Sequence, residues 1–314
     1  MKKVFISLAI VAYLFTAANS KVQAQDKLEG QISISGAFAL YPLAVKWAEE
    51  FKKLHPYVKI DVSAGGAGKG ITDALSNMVD IGMVSRDISP EESKKGAFPI
   101  SVTKDAVVAV VNASNPEIKN ILAKGVTRDV LSTIWVSGTS KTWGDIAKSN
   151  SKAQIHSYTR SDASGAAEVW AKFFGKKQED LLGVAVFGDP GLSTAVKKDV
   201  LGVAYNNIGY AYDHSTRKEL DGLKVVPLDL NGNGKIDPEE KFYSTIDEIV
   251  NAIADGKYPS PPARELFFVT NGVPTKPVLK EFIKWTLTDG QKYVSEAGYI
   301  NLKKDKLSNE LKKF

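Results

Sequence analysis

Three times along this chain a strand-like stretch runs into a knot of small residues and straight on into a helical repeat. That recurrence limits the fold more than any other feature. Gln31-Ile-Ser-Ile-Ser35 alternates as a strand does, and after Ser35-Gly-Ala-Phe-Ala39 the apolar positions Leu40, Ala44, Trp47, Phe51 and Leu54 recur at helical spacing. Residues 58–62 alternate again, and Gly65-Gly-Ala-Gly-Lys-Gly70 leads into a helix predicted over 71–78. Residues 154–159 form a further strand, from which Arg160-Ser-Asp-Ala-Ser-Gly165 opens a helix through Phe174. A helix start presents unpaired backbone N–H groups and the positive end of the helix dipole, and small residues let an anion approach them. Three such junctions, with Arg86 and Arg160 close by in sequence, point to an oxyanion site.

The rest of the pattern agrees with an α/β class. Residues 80–84 are a short buried strand ending at Ser85-Arg86-Asp87, and 106–111 are a continuous apolar strand of the kind covered on both faces. Helices are predicted over 128–135, 246–254 and 278–287, a strand-rich stretch over 202–212, a strand over 266–270, and a charged tail or surface helix over 303–313. Strands alternating with helices predict mostly parallel sheets flanked by helices. With 314 residues there is chain enough for two cores, and no long linker separates them, so the chain is expected to cross between two domains more than once.

The N-terminus reads as a secretory signal. Lys2 and Lys3 precede an apolar run over 4–18, and Val22-Gln23-Ala24 fits a small-x-small cleavage site. The run is short of the ~20 residues a spanning helix needs. Cleavage after Ala24 leaves 290 residues and, by removing Lys2, Lys3 and Lys21, lowers the formal charge from +5 to +2. That removes the basis for a nucleic-acid partner.

Several chemistries are excluded. There is no cysteine, and His55, His156 and His214 are too scattered for a zinc helix. Gly68-Lys69 is followed by Gly70 rather than Ser or Thr, with Ser63 where a phosphate-binding loop needs its first glycine, and Gly66-Ala-Gly68-Lys-Gly70 has the wrong spacing for a dinucleotide fingerprint. No GxSxG elbow is present, and nothing nominates an enzyme.

The chain resembles the periplasmic phosphate-binding proteins of ABC transporters, a family of type II two-lobed solute-binding proteins. Ser35-Gly-Ala-Phe-Ala-Leu-Tyr-Pro-Leu43 with Trp47-Ala is similar to that family's first anion loop and helix, and Gly65-Gly-Ala-Gly-Lys-Gly-Ile71 to its second. Asp80-Ile-Gly-Met-Val-Ser-Arg-Asp87 is similar to the third, and Arg160-Ser-Asp-Ala-Ser-Gly-Ala166 to its Arg-x-Asp-Gly-Ser-Gly-Thr signature. Gly256-Lys-Tyr-Pro259 with Ala263-Arg264 is a weaker match.

The resemblance implies two lobes with the ligand cleft between them. Lobe I is expected over 25–104 and 266–314 and lobe II over 105–265, with hinge crossings near 103–106 and 264–268. It implies that backbone N–H groups of Ala37, Phe38 and Ala67 face the anion, that Ser85 and Arg86 line the site, and that Arg160 is its main cation, oriented by Asp162. Ser164 and the N–H groups of Gly165 and Ala166 would close the other side. The expected function is periplasmic capture of inorganic phosphate or a related oxyanion by a monomer that serves an inner-membrane ABC permease. Positions 37, 67 and 166 are Ala where the family commonly carries Thr or Ser. Each lost neutral hydrogen bond weakens binding by about 0.5–1.5 kcal/mol. This departure keeps open an altered-ligand protein, or an anion-site relic in adhesion or sensing; a secreted phosphatase is the remaining alternative and lacks an evident nucleophile.

A separate motif stands at 229–240. Asp229-Leu-Asn231-Gly-Asn233-Gly234-Lys235-Ile236-Asp237-Pro-Glu-Glu240 has the spacing of an EF-hand calcium loop: oxygen side chains at positions 1, 3, 5 and 9, glycine at the turn and Glu at 12. The expected ligands of a structural Ca2+ are Asp229, Asn231, Asn233, Asp237 and Glu240, with the Lys235 carbonyl. The flank at 223–228 reads as strand, so a lone loop is expected rather than a paired sensor.

Overall fold

A computed structural model describes residues 27–314; the proposed signal segment and its cleavage site lie outside the described residues. The alternating stretch at the start forms β1 (Gly30–Gly36), and Pro42 in the first turn helps set α1 (Tyr41–Leu54), whose buried face is Leu43, Ala44, Trp47, Ala48 and Phe51. Then come β2 (Val58–Ala64), α2 (Ala67–Leu75), β3 (Ile81–Val84) and α3 (Pro90–Lys94). The long strand β4 (Ala97–Asn112) leads to α4 (Ile118–Lys124), α5 (Arg128–Trp135) and α6 (Trp143–Ala147). β5 (His156–Arg160), α7 (Gly165–Phe173), β6 (Val184–Val186), α8 (Gly188–Lys198), β7 (Gly202–Asn207) and β8 (Leu223–Val225) follow. The chain ends with α9 (Ile246–Ala254), β9 (Ala263–Asn271), α10 (Pro277–Leu287), α11 (Lys292–Glu296) and α12 (Lys304–Leu311).

The strands run in the order β2-β1-β3-β9-β4-β7-β5-β6, with β8 added on β4. β1 pairs in parallel with β2 and β3, and β5 with β6 and β7. The four pairs involving β4 or β9 are antiparallel. The sheet is therefore evenly mixed rather than mostly parallel, because β4 and β9 are long antiparallel neighbours that run through its middle.

Two separate cores hang on this sheet. One joins residues between Ile32 and Val102 to residues between Leu266 and Tyr299; Trp47, Phe268 and Phe282 fill it. The other lies within 106–263 plus Ile300, around Trp135, Trp170 and Tyr205. The Trp135 and Trp170 rings meet edge to face at 5.5 Å, and Trp170 stacks on Tyr205 at 5.8 Å. The chain changes core twice, on β4 between Val102 and Ala106 and on β9 between Ala263 and Leu266, where the two strands pair and β4 shifts register between Ser101 and Thr103. Among the described residues no helix is long and apolar enough to cross a membrane.

Candidate functional site

The cleft between the cores is lined where β1, β3 and β5 end and α1, α2 and α7 begin. Arg160, the last residue of β5, sits at its centre and is only 5% exposed. Its Nε and Nη2 donate to Asp162 Oδ1 and Oδ2 at 2.8 and 2.5 Å, and its Nη1 donates to Asp189 Oδ2 at 2.5 Å. Burial works against the guanidinium charge, but the Asp189 and Asp162 carboxylates more than offset it and hold the proton tighter than usual. The guanidinium lies over the Phe38 ring at 5.4 Å, from the opposite lobe.

The two lobes are in contact across this centre. Gly68 N–H at the start of α2 donates to Ala163 O at 3.1 Å, and Tyr210 Oη to Phe38 O at 3.2 Å. Glycine is needed at two of these contacts. Gly66 has φ +92°, and a Cβ there would stand 2.6 Å from Asp162 Oδ2. A Cβ on Gly165 would stand 2.3 Å from Ser85 Oγ and 2.6 Å from Ser85 O. Gly165 is the first residue of α7, where alanine suits the helix, so Gly165→Ala should leave the melting temperature close to wild type. It should nevertheless hold the lobes apart and weaken oxyanion binding tenfold or more in a calorimetric titration; unchanged affinity would mean that binding does not require this contact.

The expected site residues are distributed as follows. Phe38, Ala67 and Gly165 stand at helix starts around Arg160, and their N–H groups make no hydrogen bond within the described residues. Ala37 N–H instead donates to Met83 O at 2.9 Å, completing the β1–β3 edge, so it does not face the cleft as a free donor. Ser164 caps α7, accepting from the N–H groups of Ala166 and Ala167 at 3.2 and 3.3 Å, so the Ala166 donor is also engaged. Ser85 is buried against Gly165. Arg86 lies at the mouth rather than the centre: it is paired with Glu92 through both Nη atoms, at 2.8 and 2.6 Å, and with Glu168 across the cleft at 3.0 Å. Beyond it opens a cavity of about 650 Å³ lined by Asp162, Lys172, Lys176, Lys177 and Gln178 among others.

Asp189, Asn207 and Gln178 were not legible as site residues. Gln178 Nε2 donates to Asp162 O at 2.7 Å and its Oε1 accepts from Ser164 N–H at 3.0 Å, clamping the loop behind Arg160. Asp189, in the first turn of α8, also accepts from the Asn207 side-chain amide. Asn207 Oδ1 in turn accepts from Arg264, which pairs with Asp105 at 3.0 Å and donates to Gly165 O at 3.1 Å. Burial pushes the Asp105 carboxyl up to about 7, with Arg264 pulling it back. One buried network thus joins Arg160 to the strand crossings.

The 229–240 loop folds around its two end carboxylates, both buried. Asp229 accepts N–H bonds from Gly232, Asn233 and Gly234 at 2.7–3.2 Å. Glu240 accepts from Leu230 at 2.8 Å and Asp237 at 3.0 Å. Asp237 accepts from the Asn231 and Asn233 amides at 2.9 and 2.6 Å and from Lys235 at 2.9 Å. The all-oxygen donor set suits a hard cation, although among the described residues no three carboxylates or imidazoles converge on one point.

Residues 21–290 match the sequence profile of a PBP superfamily domain. The chain is 28% identical over 310 residues to the phosphate-binding protein PstS of Methanocaldococcus jannaschii, covering 83% of this chain and 79% of that one. It is 26% identical over 335 residues to PstS of Pseudomonas aeruginosa, covering 96% and 95%. A substrate-binding protein structure from Clostridium perfringens, solved with bound phosphate, superposes with TM-score 0.71 at 23% identity over 87% of this chain and 100% of that one. An ABC-type phosphate transport receptor from Vibrio cholerae gives TM-score 0.62 at 22% identity, covering 86% and 100%. These bear out the resemblance and the two-lobed type II fold.

Proposed function

The chain belongs to the PBP superfamily, and on that premise we propose that it captures inorganic phosphate in the periplasm for an ABC importer. The observation that carries this reading is Arg160, a buried guanidinium set among three helix starts whose free N–H groups belong to Phe38, Ala67 and Gly165. A planar fork of charged donors beside oriented backbone N–H groups matches a tetrahedral oxyanion. The mature protein begins after Ala24, acts as a monomer and delivers its ligand to an inner-membrane permease. A structural Ca2+ at the 229–240 loop would be held by Asp229, Asn231, Asn233, Asp237, Glu240 and the Lys235 carbonyl.

Capture works by closure. Residues 103–106 and 264–268 flex, the Gly68–Ala163 and Tyr210–Phe38 contacts form, and the anion is sealed from water. Small-angle scattering should give a smaller radius of gyration at saturating phosphate than in phosphate-stripped protein. Identical profiles would contradict closure.

A further inference from the structure

The buried network at the cleft carries three carboxylates, Asp105, Asp162 and Asp189, on two guanidiniums, Arg160 and Arg264. Asp162 is two residues from Arg160 and takes its Nε–Nη2 edge, an orienting contact within one loop. Asp189 is different. It comes from another element, α8, is 1% exposed, and takes Nη1, a donor otherwise free for a ligand. Two amides hold it there: Asn207 donates to Asp189 Oδ1, and Asn206 donates to Asp189 O at 3.0 Å. An anion bound at Arg160 would place a third negative charge beside one guanidinium, in a setting where little water screens the repulsion.

We propose that Asp189 is a built-in rival for the oxyanion, a carboxylate that occupies part of Arg160 and sets the affinity of the site below what the remaining donors would give. The proposal rests on the oxyanion-receptor reading above. A purely structural partner of Arg160 would act in the opposite sense, since its loss would free the guanidinium to wander and binding would weaken. The sign of the change separates the two roles.

The test is a calorimetric titration of inorganic phosphate into the wild-type protein and three variants, all unfolded, dialysed and refolded to remove bound anion. Asp189→Asn keeps the shape and removes the charge; Asp189→Ser also opens space and retains a residue suited to a helix start. Asp162→Asn is the control that loosens an orienting contact. The rival predicts at least tenfold tighter phosphate binding in both Asp189 variants and weaker binding in Asp162→Asn. Phosphate binding by an Asp189 variant when the wild type binds none would support it more strongly still. A wild type that binds phosphate as tightly as, or more tightly than, both Asp189 variants overturns the rival and leaves the receptor reading standing. Absence of phosphate binding in all four proteins overturns the phosphate-receptor reading and the rival with it.

Discussion

Arg160→Ala is expected to lower oxyanion affinity at least a hundredfold and to destabilise lobe II by about 3–5 kcal/mol, the usual loss when one partner of a buried ion pair is removed. The affinity loss follows from two charge-assisted hydrogen bonds at roughly 1.5–3 kcal/mol each. The stability loss follows from Asp162 and Asp189, which would be left buried without their cation. Lys69→Ala is the contrast. Its ammonium is paired with Asp73 one turn along α2 and its side chain is 50% exposed, so a loss of no more than about 1 kcal/mol is expected. Equal losses from the two substitutions, titrated in one buffer, would place the anion elsewhere.

The second large expected effect is that of calcium on the proposed 229–240 site. An ion bound only by the folded protein stabilises it by about 2.7 kcal/mol at a hundredfold excess over Kd. At roughly 2–4 °C per kcal/mol for a unit of this size, the melting temperature should rise by roughly 5–10 °C with calcium and fall back with chelator. Two Asn ligands and a single loop outside the cytoplasm point to a Kd of ~10⁻⁴–10⁻³ M. Magnesium should do less, because it demands a tight octahedral shell. Glu240→Ala should abolish the shift and also lower the calcium-free stability, since its carboxylate accepts N–H bonds from Leu230 and Asp237 within the fold. Asp237→Ala, which removes a more peripheral carboxylate, should reduce the shift with a smaller effect on the calcium-free protein. Phosphate binding should survive both, because the loop packs on α4 and lies away from the cleft. A melting curve indifferent to calcium after metal stripping would remove the ion from this account.

The junctions were legible because each is written locally: an alternating strand, small residues and a 3.6-residue repeat fall within some 20 positions. Arg160, Asp162 and Ser164 could be found for that reason, and α5 and α9 cover the predicted ranges 128–135 and 246–254, each started by a Thr cap in the structure. What escaped depends on contacts distant in sequence. Antiparallel pairing of β4 with β9 joins residues some 160 positions apart, and Pro99, Lys104 and Asp105 interrupt the apolar pattern of β4 ahead of residue 106. α2 starts at Ala67, inside the glycine-rich loop, although Gly68 and Gly70 disfavour a helix; Gly70 packs against Gly36 and Met83 too closely for any side chain. The fourth strand–helix junction, β6 to α8, was hidden because Phe187-Gly-Asp-Pro-Gly191 reads as a turn and β6 is three residues long. That junction supplies Asp189, and a carboxylate there is the opposite of what an anion site would lead one to seek. Whether Ala37 N–H is free could not be read at all, since Met83 O is brought to it only by the sheet.

Phosphate binding itself is the claim on which the rest depends. The direct measurement is isothermal calorimetry of inorganic phosphate into the chain from Gln25 onward, unfolded and refolded to strip bound anion, with sulfate, arsenate and molybdate titrated in parallel. The account predicts one saturable phosphate site per chain, lost in Arg160→Ala. No saturable heat with any of the four oxyanions would contradict it.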